Sequence, residues 1–342
     1  MTDAALDLVP VWTLILGVAV FFYVLLDGFD LGCGILFGLS KDPAHRRLIM
    51  NSIAPVWDGN ETWLVLGSIG LLAAFPMAFA IIMPAVYFPI LLMLLGLVFR
   101  GVAFEFQFKE PRIRRFWEWG FAIGSAVATF AQGCVLGAFV QGFKVSGRSF
   151  AGTSWDWLSP FSILTGVSLM AGYALLGSGW LVLKLEGEGQ DWARRQGRWA
   201  LLATVAGIGA VSLWTPFIDP AIAARWFGWP HILWFAPVPV LTALLVVAEW
   251  RWLSPGSGGR GHDLLPFLGA LGLFFLSYSG MAISRFPMLV PPHYDLWQAS
   301  SAPSTQAFLM VGTLFLLPII LMYSAWSYWV FRGKVRADVG YH

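Results

Sequence analysis

Apolar runs of about 20 residues or more recur along the chain, separated by short stretches rich in Lys, Arg, Gly and Pro. Each run is long enough to cross a bilayer core of ~30 Å as a helix. The pattern predicts nine spans, at about 11–39, 53–75, 78–106, 116–140, 160–183, 199–217, 231–252, 264–283 and 305–330. Every loop between them is short, so no soluble domain is expected. The 342 residues read as one all-α, multi-pass integral membrane unit. Pro84, Pro89, Pro237, Pro239 and Pro318 fall inside the runs and are expected to kink helices, with neighbours satisfying the freed carbonyls.

Basic residues orient the spans, because short cytoplasmic loops are enriched in Lys and Arg. Lys41, Arg46 and Arg47 follow span one, and Lys109, Arg112, Arg114 and Arg115 follow span three. Lys184, Arg194, Arg195 and Arg198 follow span five, Arg260 follows span seven, and Arg332, Lys334 and Arg336 follow span nine. The opposite side carries only Lys144, Arg148, Arg225 and Arg285. This places the amino terminus, with Asp3 and Asp7, outside (periplasmic) and the carboxyl terminus in the cytoplasm.

A faint internal repeat aligns Tyr23-Val-Leu-Leu-Asp27 with Tyr173-Ala-Leu-Leu-Gly177. It suggests two pseudo-repeated four-helix bundles, about 1–157 and 158–285, plus a ninth helix at about 304–331. Gly177 and Trp180 stand in the second copy where the first has Asp27 and Asp30, so the acids would belong to the first bundle.

Composition agrees with a membrane protein: 58% of residues are hydrophobic and 12% charged, against about 25% charged in soluble domains. The first span is too long and aromatic for a signal-peptide core and no small-residue cleavage site follows it, so no cleavable leader is expected. Trp57, Trp117, Trp119, Trp155, Trp157, Trp229, Trp250, Trp252 and Trp329 cluster at span ends as an interfacial belt. Cys33 and Cys134 sit in apolar runs outside any CxxC or Cys/His cluster, and read as small packing residues.

Against this background the acids inside the spans stand out, since Asp or Glu costs roughly 3 kcal/mol at a helix centre. Asp27 and Asp30 share one helix face, as do Asp58 and Glu61, with Trp57 four residues before Glu61. At about 1.5 Å per residue, Glu105 lies about 6 Å from the cytoplasmic end, Asp58 about 10 Å, Asp30 about 14 Å and Asp27 about 18 Å. Arg100, about 13 Å deep, is level with Asp30 and Glu61. The acids form a ladder that opens toward the cytoplasm, which an inward proton path needs. Pairing with Arg100, or carrying a proton, lowers the cost of burial. Plainer readings exist for each: Arg100 as a snorkelling flank, Glu105 as an interfacial partner of Lys109, Asp58 as a helix cap.

His45, His231, His262, His293 and His342 do not pair mid-membrane, so two axial haem ligands cannot be built in the usual way. No metal site, phosphate-binding loop, nucleophile elbow or nucleic-acid footprint is present. The residues alone leave three readings open. They are a subunit that feeds protons to a redox partner, a stand-alone proton-coupled transporter, and a scaffold whose acids serve packing.

The segments Leu26–Gly32 (LDGFDLG), Asn51–Val65 (NSIAPVWDGNETWLV) and Phe99–Lys109 (FRGVAFEFQFK) strongly resemble subunit II of the cytochrome bd quinol oxidases, including the cyanide-insensitive branch. The resemblance implies an enzyme of the bacterial cytoplasmic (inner) membrane that oxidises a quinol and reduces dioxygen to water. It implies a haem-bearing subunit I with two haems b and one haem d, and a pseudosymmetric heterodimer. A small single-span accessory subunit often joins, and in some members subunit II holds a quinone in a surface groove. Subunit II supports assembly and carries no haem. Carried over by motif, Asp27, Asp30, Trp57, Asp58, Glu61, Arg100 and Glu105 would bring cytoplasmic protons toward the haem site. Asp58 and Asp30 would relay them, and Arg100 would hold the acids' charge and hydration.

Overall fold

The computed structural model describes residues 7–109, 111–254, 256 and 262–335; Asp3, Arg260, Arg336 and His342 lie outside them. Helix α1 spans Val9–Leu39, with Pro10 in its first turn. A helix then occupies the stretch expected to be a charged loop. This is α2, Pro43–Ile53, capped by the Asp42 carboxylate, which accepts from the Ala44 amide at 2.8 Å. An Asp-Pro step starts a helix well, because Pro fits the first turn where no amide is needed. Ile49, Met50 and Ile53 bury one face of it.

The next two expected spans divide differently. Helix α3 is Trp57–Ala74, α4 is Pro76–Ala85 and α5 is Tyr87–Lys109. The apolar run 78–106 is therefore not one helix: Val86 breaks it. Helix α6, Arg114–Gln141, closes the first half. A hairpin of β1 (Val145–Ser146) and β2 (Ser149–Phe150) follows, packed on α4. Gly142 turns the chain into it at φ 87°, where a side chain would also strike the Pro291 carbonyl.

The second half holds α7 (Pro160–Lys184), α8 (Gly187–Ile218) and α9 (Pro220–Phe227). Helices α10 (His231–Phe235), α11 (Pro237–Trp252) and α12 (Leu265–Arg285) come next. The expected basic loop before span six is instead the first three turns of α8, so Arg194, Arg195 and Arg198 ride on a helix. Strands β3 (Met288–Val290) and β4 (Tyr294–Asp295) and helix α13 (Leu296–Ala299) lead into α14 (Pro303–Val330). Among the described residues, eight helical stretches are long and apolar enough to cross a membrane; α3, with Asp58 and Glu61 in its first two turns, is not among them.

Of the expected kinking prolines, Pro89, Pro237 and Pro239 lie in the first turns of α5 and α11, where no intrahelical amide bond is lost. Pro84 and Pro318 are interior, and so is Pro216 in α8.

Helix α1 is the shared element, packing on α3, α6 and α7. Small residues allow this closeness: a Cβ on Gly32 would lie 1.7 Å from the Tyr173 carbonyl oxygen, and one on Gly177 would lie 2.5 Å from the Gly32 carbonyl carbon. Gly96 of α5 and Gly124 of α6 face each other in the same way. Cys33 and Cys134 are free, buried and packed among these helices. Trp180 stacks on Phe29 with ring centroids 4.3 Å apart. The tail after α14 is clasped at the basic end, where Lys334 donates to Asp263 (2.8 Å) and to the Leu185 carbonyl (2.9 Å), and Lys184 donates to the Phe331 carbonyl.

Candidate functional site

Three helices bring their polar residues to one point inside the apolar core. Asp27 and Asp30 come from α1, Asn60 from α3 and Arg100 from α5. Asp27, Asp30 and Arg100 are fully shielded from solvent and Asn60 nearly so. Arg100 Nη1 donates to Asp27 Oδ1 at 2.6 Å. The guanidinium also lies over the Trp57 ring, 5.7 Å from its centroid, and that indole stacks on Phe104 at 5.1 Å. Asn60 Nδ2 donates to Asp30 Oδ2 at 2.7 Å and to the Leu26 carbonyl at 3.3 Å. Its own carbonyl accepts from the Tyr328 hydroxyl at 2.7 Å, which ties α14 to the centre.

The cluster is not saturated. Asp27 Oδ2, Asp30 Oδ1, and Nε and Nη2 of Arg100 have no hydrogen-bond partner within the chain. Buried polar groups almost always have one. Two carboxylates facing one guanidinium, each with a free lone pair or N–H, can accept, hold and pass on a proton or a water.

The other expected residues fall outside this core. Glu61 is half-buried and lies within electrostatic reach of Arg100, Asp27 and Asp58. Asp58 and Glu105 are on the surface of the isolated chain, and Trp57 is half-buried. The plain snorkelling reading of Arg100 does not hold, because its head group is enclosed rather than solvated. Nor is Trp57 a belt residue, given its place over Arg100. Trp157 is likewise buried, whereas Trp119, Trp155, Trp229, Trp250 and Trp329 are exposed as a belt requires.

A second polar group adjoins the first, one turn farther along α1. Gln132 of α6 donates to the Tyr23 hydroxyl at 2.6 Å and accepts from the Tyr173 hydroxyl at 2.8 Å. These are the two tyrosines that the faint repeat aligns, and both interact electrostatically with Asp27. Glu249 of α11 is fully buried with neither oxygen partnered, so buried acids are not confined to the first half. Glu249 stands next to Trp250 and Arg251 near the end of its apolar run, where the sequence carries no signal that it is enclosed. His45, His231, His262 and His293 all lie at helix ends or in turns. No group of His, Cys, Asp and Glu suited to a metal ion occurs among the described residues.

Fold and site together define a polytopic helical membrane protein built around an enclosed, ion-paired acid cluster. The chain belongs to the cytochrome bd terminal oxidase subunit II family, whose profile matches residues 8–331. It is 28% identical over 375 residues to cytochrome bd-I ubiquinol oxidase subunit 2 of Escherichia coli (strain K12), covering 96% of this chain and 95% of that one. Cytochrome bd ubiquinol oxidase subunit 2 of Bacillus subtilis (strain 168) is 28% identical over 335 residues, covering 95% and 96%. The fold matches a chain of the bd oxidase from Geobacillus thermodenitrificans with a TM-score of 0.74 at 17% identity, covering 95% of this chain and 99% of that one.

Proposed function

We propose that this chain is the haem-free subunit of a bd-type quinol oxidase in the bacterial inner membrane, and that it supplies cytoplasmic protons to the oxygen-reducing site of its partner. The observation that carries this reading is the enclosed Asp27–Arg100 pair beside Asp30 and Asn60, unsaturated and deep in the membrane. The haems would reside in subunit I and supply the dioxygen chemistry; this chain's own residues bind, orient and pass protons. Asp58 takes protons at the basic face. Glu61, one helical turn deeper, hands them to the Asp27–Asp30 pair. Arg100 holds Asp27 in place through its ion pair, and Trp57 shields the guanidinium from lipid.

The same reading takes α3 as a ninth span, shortened because its first two turns serve the acids, with the amino terminus outside. It takes the two halves as pseudo-repeated four-helix bundles meeting at α1 and α7; the Tyr23–Gln132–Tyr173 bridge supports that pairing. Subunit I, a small accessory subunit, lipid and a bound quinone complete the assembly. The surface position of Asp58 and Glu105 suits residues that a partner subunit covers.

Replacing Asp58 with Asn tests the path. The complex should assemble with its full haem spectrum, while quinol-driven oxygen uptake falls about tenfold or more, within the range a lost proton-transfer group costs. Full turnover in that variant would remove Asp58 from the path.

A further inference from the structure

A cavity of about 250 Å³ opens at the end of the molecule opposite the basic loops, between the α6 terminus and the β1–β2 hairpin. It lies far from the acid cluster and needs no part of the oxidase reading. Phe143, Phe150 and Trp157 wall it, and Gln141, Lys144 and Asp156 carry its polar edge.

The polar groups are arranged to receive a ligand. Trp157, 5% exposed, closes one wall of the cavity with its ring. Stacking on Trp155 fixes the ring, and Trp155 in turn stacks on Phe88 at 5.1 Å. The Gln141 carbonyl already accepts from the Ser159 and Ser162 hydroxyls, at 2.5 and 3.1 Å, which leaves its amide N–H groups as donors. Lys144 Nζ lies 3.0 Å from Asp156 Oδ2, and the lysine is 73% exposed. Asp156 is held by the Thr153 hydroxyl at 2.5 Å. That hydrogen bond, with help from Lys144, keeps its carboxyl below the usual range, so it stays an anion at neutral pH.

The Gln141 amide and the Lys144 ammonium therefore stand as donors beside one carboxylate. An exposed ion pair such as Lys144–Asp156 is worth at most ~1 kcal/mol. A ligand that brings both charges of its own can replace it at little cost. A phosphodiester adjacent to a primary ammonium has that chemistry. The donors bind the phosphate oxygens, and Asp156 receives the ammonium. Beside the edge, Leu158 just before α7 and Ile163 and Val167 in its first turns are exposed and offer acyl chains an apolar track.

We infer that this cavity binds the headgroup of a zwitterionic phospholipid of the phosphatidylethanolamine class, with phosphate on Gln141 and Lys144 and ammonium on Asp156. The site would fasten the hairpin to the membrane surface.

The test is native mass spectrometry of the full chain, purified in mild detergent with its accompanying subunits, delipidated, and titrated with dioleoyl phosphatidylethanolamine or dioleoyl phosphatidylglycerol. One phosphatidylethanolamine should be retained in preference to phosphatidylglycerol. Asp156→Asn should cut that preference by about fivefold, the loss of roughly 1 kcal/mol, without weakening phosphatidylglycerol. Lys144→Ala, a change at an exposed side chain that cannot unfold the protein, should weaken both lipids. Equal retention of the two lipids, a preference that survives Asp156→Asn, or retention of neither would overturn the assignment.

Discussion

At the scale of the residue, the cost of burying charge decides what each group can do. Arg100 and Asp27 are both enclosed, so neither can be satisfied by water if the other is lost. Breaking such a pair by removing one partner costs ~3–5 kcal/mol, whereas replacing both with apolar or neutral groups of similar volume is often close to neutral. Arg100→Met alone should therefore deplete the assembled protein in membranes. Arg100→Met combined with Asp27→Asn should restore its level but not its oxygen uptake. Quantitative blotting and oxygen-electrode traces of the two strains separate these outcomes, and a double variant with full turnover would leave the pair a packing device. The same cost made Asp27, Asp30 and Arg100 legible in the sequence. Nothing comparable marks Asn60, Gln132 or Tyr328: they are neutral, tolerable at many helix positions, and Tyr328 meets Asn60 across 268 residues of chain. The outward aim of Asp58 was equally hidden, because spacing along α3 gives its faces but not which neighbour each face meets.

At the scale of the element, apolar length located most helices to within a few residues, since lipid leaves a spanning backbone few alternatives to a helix. It failed in two ways. Helix α2 and the start of α8 carry too many charges to look apolar, so they read as loops although a cap or a buried stripe makes them helical. Conversely, the run through 78–106 is apolar throughout, so the break at Val86 left no trace in hydropathy. The glycines are informative once the helices are placed. Gly32 sits where α1 crosses α7 with no room for a methyl group, while Gly209 on α8 has open space around it. Both lie within helices, where Ala is otherwise preferred by ~1 kcal/mol. Gly32→Ala should lower the melting temperature of the detergent-purified protein by several degrees, because the clash is with backbone and cannot be relieved by a side-chain shift. Gly209→Ala should leave the temperature unchanged or raise it. Equal effects at the two sites would mean that α1 and α7 do not meet as closely as described.

At the scale of the whole molecule, the direction of the acid ladder has meaning only once the sides of the membrane are assigned. The deep pair, Asp27 and Arg100, has its half-buried and exposed acids, Glu61 and Asp58, toward the end where Arg46, Arg112, Arg114 and the Lys334–Asp263 clasp gather. The β1–β2 hairpin and the aromatic cavity occupy the other end. If basic residues stay in the cytoplasm, the proposed path would take protons from the cytoplasm, and turnover would consume them from that side. Both native cysteines are buried, so single introduced thiols give a clean readout. Arg112 and Arg148 are exposed at opposite ends. Arg148→Cys should react with a membrane-impermeant maleimide in intact spheroplasts, and Arg112→Cys should react only after the membrane is opened. The reverse pattern would put the acid ladder's mouth on the outer face. Proton uptake for oxygen reduction would then come from outside, and a role in drawing on the cytoplasmic pool would be lost even with every residue of the cluster in place.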